Sequence, residues 1–395
     1  MLVTAEKSKK VILPKSAVRP VLLLTINNGA AHTQAARAIA DAILRENAQI
    51  NVKIVDVSDY MSPLARFTHV TAYLWLVKNA PSVWARIDAY QKKQTETSPI
   101  WYYRRECRKL FELVRESKPC ALVATEVGCN EIAALIKRDL KLKVPFVAVN
   151  LDYEADRAWI QPEVDFYSVA ADCVQSALTK FGAPPEKIEV LGAPIAAEFR
   201  SLNKTKRAAA REKFCRKFDL TATAPIVLVA GGGEGLGNIA EIVERLINLK
   251  IQTIVLCGNN QKLKKACDRL AQNHRNLRVF GWTNQIAEIY QIADVLVSKL
   301  GLTFYEAMAC GLPIVALPPP PGSEQAQYDC LDKLNVGRAV RNLEEMVQTV
   351  SKLLSERQIL DEMRDYSALN LSQTQAATRI AKWITEKVSV ERGEG

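Results

Sequence analysis

Five glycines fall within seven residues in Gly231-Gly-Gly-Glu-Gly-Leu-Gly237, after the apolar run Val227–Ala230 and before an apolar-periodic helix opening at about Asn238. Glycine lets backbone amides approach a ligand closely, and a helix start adds partial positive charge, so this loop suits a phosphate. Neither the dinucleotide fingerprint nor the Walker loop fits the spacing, and no Lys-Ser/Thr follows. Some seventy residues on, Asp294-Val-Leu-Val-Ser-Lys-Leu-Gly-Leu-Thr-Phe-Tyr-Glu306 reads as strand, glycine turn and helix start. Thr303 falls near the cap, and Gly311-Leu-Pro313 ends the helix. A carboxylate one turn into a helix can accept two hydroxyl hydrogen bonds, so Glu306 suits a ribose diol; its alternative is a first-turn partner of the helix dipole. Free histidine titrates near neutrality, so His32, expected on a loop at the tip of the first apolar run, suits removal of a proton from a hydroxyl. Its alternative is helix-start packing, and Asp152 is the rival base or acceptor-site carboxylate.

These pieces belong to a longer ordered series. Asn28-Gly-Ala-Ala-His32 is followed by a helix, then by Tyr73-Leu-Trp-Leu-Val-Lys-Asn-Ala-Pro-Ser-Val-Trp84, then by Asp152 with Trp159 seven residues on. Phe181-Gly-Ala-Pro-Pro-Glu-Lys-Ile188, Gly192-Ala-Pro-Ile195, the glycine run, Gly281-Trp282 and Glu306 complete it. From about residue 20 to 380 the chain resembles the lipid-directed glycosyltransferases of family 28, the monogalactosyldiacylglycerol synthases and processive diacylglycerol glucosyltransferases. The lipid-II-forming transferase of peptidoglycan synthesis is a more distant relative.

The resemblance implies a UDP-sugar donor site and a lipid acceptor site, with no metal or other cofactor required. On the donor side, Gly231, Gly232, Gly233, Gly301, Leu302 and Thr303 would supply amides to the diphosphate. Gly281 and Trp282 match the segment whose backbone reads uracil, and Glu306 matches the ribose-binding glutamate. Pro321-Gly-Ser-Glu-Gln-Ala-Gln327 resembles the sugar-hydroxyl loop, implicating Glu324, Gln325 and Gln327. On the acceptor and membrane side it implies Tyr73, Trp75, Lys78, Trp84 and Trp159, with His32 and Asp152 as the catalytic pair. The chain also departs from the family. Ala30 and Ala31 stand in the first glycine-rich loop, Asp156 where relatives carry histidine, and Thr125-Glu-Val127 where many carry a Thr-His-Pro-like turn. The turn before Thr303 is one residue shorter than in many relatives.

Composition narrows the setting. At 395 residues, 48% hydrophobic and 24% charged, the chain is an ordinary globular protein with room for two cores. Nine scattered cysteines without a C-x-x-C pair suit a reducing compartment, and three histidines do not build a zinc site unaided. No run of about twenty apolar residues would span a bilayer, and Met1–Lys10 lacks the apolar core of a signal peptide. The +10 net charge is uneven: residues 1–115 hold 18 Lys/Arg against 9 Asp/Glu, residues 116–200 hold 9 against 13. A basic first part with aromatic residues suits an anionic membrane surface, at roughly 1 kcal/mol per basic residue near the lipid. No nucleic-acid recognition motif accompanies the charge. From Phe67 to Tyr90 apolar and aromatic residues recur near helical spacing beside Lys78 and Arg86, with Pro81 breaking or starting a helix. That stripe fits an interfacial anchor and a core-packing helix equally, and the resemblance favours the membrane.

Apolar runs alternate with helical patterns in both halves, which predicts parallel, doubly wound sheets. The first half offers Val21–Ile26, Val52–Val57, Ala121–Thr125, Phe146–Asn150, Phe166–Val169 and Ile188–Leu191, with a long helical region between the second and third. The second offers Ile226–Ala230, Thr253–Cys257, Leu277–Phe280, Val295–Ser298 and Ile314–Leu317. Two Rossmann-like domains facing across a cleft, the GT-B arrangement, are expected. Their limits are a basic tail over 1–19, a first domain over 20–197, a second over 198–372, and a C-terminal helix within 373–395 packing back on the first domain. The expected activity is inverting transfer of a hexose or N-acetylhexosamine from UDP to a membrane lipid such as diacylglycerol, by an enzyme peripheral to the cytoplasmic face. The alternatives are a UDP-N-acetylglucosamine epimerase and a UDP-sugar-binding protein without turnover.

Overall fold

The computed structural model describes residues 19–27, 30–93, 100–233, 235, 237–319, 324–369 and 375–393. Most of the basic tail, Asn28-Gly29 and the 320–323 part of the proline-rich loop lie outside these residues. The first sheet contains β1 (Val21–Thr25), β2 (Val52–Asp56), β3 (Ala121–Ala124), β4 (Phe146–Val149), β5 (Phe166–Val169) and β6 (Ile188–Val190), in the order β2-β1-β3-β4-β5-β6. The second contains β7 (Ile226–Ala230), β8 (Gln252–Leu256), β9 (Leu277–Phe280), β10 (Val295–Ser298), β11 (Ile314–Ala316) and β12 (Gly337–Ala339), in the order β12-β11-β10-β7-β8-β9. Every strand pair is parallel. Because helices cover both faces, central strands such as Val21-Leu-Leu-Leu24 are apolar throughout and fully buried. The expected fold class is borne out. β12 is the one strand the sequence reading does not name, since Gly337-Arg-Ala339 carries no apolar run.

Strand order reverses between β1 and β3 in the first sheet and between β7 and β10 in the second. At such switch points the crossovers leave toward opposite faces, opening a crevice beyond the carboxyl ends of the strands. His32 and Thr125 follow β1 and β3, while the glycine run and Gly301 follow β7 and β10. Topology alone therefore gathers the chemistry at two facing edges.

The sheets are tied by one continuous core. It includes Val21 and Leu23 of β1, Ile226 and Leu228 of β7, and Ile380, Ala381, Ile384 and Val388 of the helix Ala376–Gly393. That last helix lies against the helix Ala30–Glu46, with Trp383 stacked on Phe166 (5.2 Å, 19°) and Arg379 paired with Glu189. The Tyr305 hydroxyl donates to the Ala170 carbonyl at 3.1 Å, and the ring of Tyr153 meets Phe304 edge-on at 6.3 Å. These contacts join the first half to the second.

The stretch from Ala196 to Arg211, which reads as a polar break, turns into a helix at Lys204, capped by the Asn203 side chain. Two of its arginines, Arg207 and Arg211, point inward. Arg207 and Arg211 meet the Asp294 carboxylate at 3.0 and 2.8 Å, Arg364 joins at 3.3 Å, and the Ile226 amide donates to the same group at 2.9 Å. Burial would raise the pKa of Asp294, but Arg211, the Ile226 amide and Arg207 outweigh it and leave it below the ordinary value. Such a group stabilises the fold above the unfolded-state pKa, and its contribution disappears as pH falls through the lower folded value. Asp294→Asn is expected to cost about 3–5 kcal/mol at neutral pH, because it strands buried guanidinium groups. Urea unfolding checks this, and the gap between the two proteins should shrink below about pH 4.

Candidate active site

The donor side is built on the second sheet. After β7 the chain turns through Gly232 (φ 71°), whose carbonyl accepts from the Gly235 amide; the Gly233 carbonyl accepts from Asn259. These bonds fix the loop while leaving its inner face lined by backbone. After β10, Gly301 (φ 80°, ψ −144°) precedes the helix Leu302–Cys310, whose first turn leaves the Leu302 and Thr303 amides without intrahelical acceptors. Lys299 lies between the two loops. A Cβ on Gly232 would stand 3.6 Å from its Cε, and its ammonium pairs with Glu324 at 2.6 Å. Lys299 is a candidate site residue that the motifs do not single out. Its signal was a charge wedged between the buried strand Val295–Ser298 and a glycine turn.

Glu306 lies one turn into that helix and is half-buried. Burial pushes its carboxyl up to about 7, while the hydrogen bond from the Tyr290 hydroxyl acts in the opposite direction. Tyr290 is itself buried and also bonds Thr303, so this pair holds the glutamate in place. Trp282 is 52% exposed, and its ring edge comes within 3.5 Å of where a Gly233 Cβ would stand. Gly281 packs beside Lys264 and the Gly258 carbonyl.

The acceptor side is built on the first sheet. His32 is the third residue of the helix Ala30–Glu46, inside its first turn and not on a loop. Its Nδ1 lies 2.6 Å from the Thr125 carbonyl oxygen, and the Thr125 hydroxyl donates back to the His32 carbonyl at 3.2 Å. A carbonyl oxygen only accepts, so Nδ1 carries the proton and the neutral ring keeps Nε2 as a base. Asp152 is exposed after β4; its amide donates to the Asn150 side chain, and its charge is felt by Tyr305 across the junction. The two halves meet at Gly233, where a Cβ would stand only 2.6 Å from the Ala30 methyl. His32 thus begins two residues from the donor loop.

Between β2 and β3 the chain forms a helical layer. The π-helical turn Phe67–Ala72 runs into the helix Tyr73–Asn79, the chain breaks at Ala80, and Pro81 starts the helix Pro81–Lys93. Leu64, Phe67, Trp75, Val83, Tyr90, Ile100 and Trp101 are all exposed here, Trp75 at 59%. Most of the exposed large apolar side chains of the described residues are therefore on this one layer, beside exposed Arg86 and Arg105. Tyr73 packs edge-on against Trp84 at 4.8 Å and stiffens the turn. The Lys78 side chain lies outside the described residues. Among the described residues no helix is long and apolar enough to cross a membrane, and no three His, Cys, Asp or Glu side chains gather to hold a metal ion.

Several sequence expectations change. Trp159 does not face the acceptor: it is 6% exposed in the core of the first sheet, where its carbonyl accepts from Asn130. Gln325 points outward to Asp329, its i+4 neighbour. Gln327 is buried, and its Oε1 accepts from the Gly301 amide at 2.6 Å, so it orders the turn and removes Gly301 from the free amide donors. Thr303 spends its hydroxyl on Tyr290 instead of capping its helix. The family departures acquire local reasons. Glu126 caps the helix Val127–Asp139 through the Cys129 amide, and Asp156 caps the turn Arg157–Trp159 through the Ala158 amide.

Two doubly wound parallel sheets, the second with two glycine loops after β7 and β10, define a GT-B glycosyltransferase fold. The family resemblance read from the motifs is borne out. Residues 32–195 match the monogalactosyldiacylglycerol (MGDG) synthase family, and residues 225–356 match the glycosyl transferases group 1 family. A processive diacylglycerol beta-glucosyltransferase of Bacillus licheniformis is 27% identical over 363 residues, covering 90% of this chain and 92% of its own. Among solved structures, Acinetobacter baumannii MurG shares the fold with a TM-score of 0.58 at 14% identity, over 93% of this chain and 99% of its own. Anabaena Alr3699/HepE, solved in complex with UDP and glucose, shares it with a TM-score of 0.57 at 13% identity, over 94% and 99%.

The contact at Gly233 is directly testable. Gly233→Ala forces a methyl onto Ala30 and should destabilise the protein by about 1–3 kcal/mol, as overpacking does. The double variant Gly233→Ala/Ala30→Gly should recover most of that loss in thermal denaturation. No recovery would mean that the two edges do not touch.

Proposed function

We propose that this enzyme transfers a hexose or N-acetylhexosamine from a UDP-sugar to the hydroxyl of a membrane lipid such as diacylglycerol, inverting the anomeric carbon. One observation carries the reading: the half-buried Glu306, the Glu324-paired Lys299 and the glycine-loop amides stand on one sheet edge, and His32, with its Nε2 lone pair, stands on the other, where Gly233 meets Ala30. The Gly231–Gly233 loop, the Leu302 and Thr303 amides and Lys299 hold the diphosphate and stabilise the charge that develops on it as it leaves. This positive field comes from the protein, and no metal is invoked. Glu306 takes the ribose hydroxyls, Gly281-Trp282 borders the uracil, and Glu324 faces the hexose. His32 removes the acceptor proton through Nε2 while the Thr125 carbonyl holds Nδ1–H, as a carboxylate orients histidine in hydrolytic triads. Attack from the face opposite the diphosphate inverts the sugar carbon. The relatives' name supports diacylglycerol as acceptor.

The exposed apolar and basic layer of residues 63–105 carries the enzyme on an anionic membrane from the cytoplasmic side, with the acceptor reached from the lipid surface. All nine cysteines are free thiols, which fits that side. An epimerase or a passive UDP-sugar binder would have no use for such a layer.

Incubation with UDP-[14C]sugars and membrane lipids should place label in the organic phase; label released only as free sugar would end the assignment. His32→Ala should leave UDP-glucose binding intact and lower transfer by about 100-fold or more, the scale of a lost general base. Equal turnover would remove His32 from the mechanism.

Only the Glu306 carboxylate can accept both ribose hydroxyls, and its folded pKa lies near 7. UDP-glucose affinity should therefore fall toward tenfold per pH unit below about 7 and level off above it. The diphosphate of UDP-glucose does not itself titrate near neutrality. Calorimetry across pH checks this, and Glu306→Gln should flatten the profile.

A further inference from the structure

Glu324 occupies an uncomfortable position for a residue that only waits for a sugar. Its backbone is left-handed (φ 57°, ψ 10°), a conformation that costs a residue bearing a Cβ. Its Oε1 sits 2.6 Å from the Lys299 ammonium, in a pair whose side chains are only 13% and 24% exposed. Its Oε2 is buried and has no hydrogen-bond partner among the described residues. The carboxylate also lies against the Gly301 turn, where a Cβ would stand 2.7 Å from Oε1 and where the backbone (φ 80°, ψ −144°) itself favours glycine. One oxygen thus holds the cation that lies beside Gly232, and the other lacks a donor among the described residues.

We propose that Glu324 competes with the diphosphate for Lys299, so that the site grips an intact nucleotide-sugar firmly and releases the nucleoside diphosphate left after transfer. The proposal rests on the donor-site reading above. When a hexose is present, its hydroxyls donate to Glu324, satisfying Oε2 and drawing Oε1 from the ammonium. Lys299 then turns fully to the diphosphate. Once the hexose has left on the acceptor, those donors are gone, and the carboxylate takes Lys299 back. A buried carboxylate left unpaired is costly, so the return is driven. Sugar and diphosphate binding are coupled through one lysine, and such coupling is reciprocal. The pair would relieve product inhibition by the nucleotide.

The test is a double-variant cycle in the full-length chain, read by calorimetry with UDP and with UDP-glucose. Glu324→Gln keeps the shape and backbone but removes the charge that holds Lys299. It should bind UDP about tenfold more tightly than the parent, a gain of about 1.4 kcal/mol. UDP-glucose should gain little or weaken, so the preference for the sugar nucleotide narrows. In a Lys299→Met background the same Glu324→Gln change should bring no gain. Kinetically, UDP should become a stronger product inhibitor of Glu324→Gln. Unchanged or weaker UDP binding by Glu324→Gln overturns the proposal, as does a gain that persists without Lys299, which would reflect simple repulsion between carboxylate and diphosphate. Failure of the parent protein to bind UDP at all would sink the donor-site reading itself and the proposal with it. Normal UDP binding without the gain sinks the competition alone.

Discussion

Contact between two carboxyl-terminal sheet edges is the constraint on which the rest depends. Each edge is half of a site. The donor edge offers amides, a lysine and a half-buried glutamate, and the acceptor edge offers a histidine with an oriented ring. Neither does transfer chemistry alone, because the acceptor hydroxyl must be held in line with the departing diphosphate. The shared core from β1 through the helix Ala376–Gly393 to β7 sets the distance between them. The absence of side chains at Gly233 lets them close.

Burial and pairing tune the carboxylates of the second half in opposite directions. Asp294 is enclosed but surrounded by arginines and stays charged, so it knits the Lys204–Lys217 helix to the start of β10. Glu306 is enclosed with only tyrosine hydroxyl support and rises toward neutrality. Glu324 borrows the charge of Lys299. The difference is the company each keeps: full countercharge makes a structural hub, and incomplete satisfaction leaves a group that gains from a ligand.

The acceptor side shows how substitutions within a family pattern are absorbed. Glu126 and Asp156 each terminate a helix by accepting a backbone amide, the general use of a short-range carboxylate at a helix start. Glu126 lies beside Thr125, whose carbonyl holds His32, so the cap adjoins the residue that orients the imidazole. Trp159, spaced from Asp152 as the family pattern requires, is spent on the core. Spacing along the chain fixed its neighbours, and packing of the Val127–Asp139 helix decided which way it faces.

Much of the fold was legible from sequence, since eleven apolar runs alternating with helices permit little besides two parallel sheets, and β12 escaped only for want of apolar residues. The glycine run, Glu306 and His32 were legible because their chemistry depends on residue type at the end of a strand. Three things were not. Lys299 and Glu324 pair across 25 positions, Gln327 binds the Gly301 amide across 26, and Thr125 orients His32 across 93. Composition and local periodicity carry no information about such partners, because hydrogen bonds and desolvation act between groups that only folding brings together. The sequence by itself determined the elements and the kinds of group at their ends. The tertiary structure decided which amides stay free, which carboxylates stay charged, and which aromatic rings face outward.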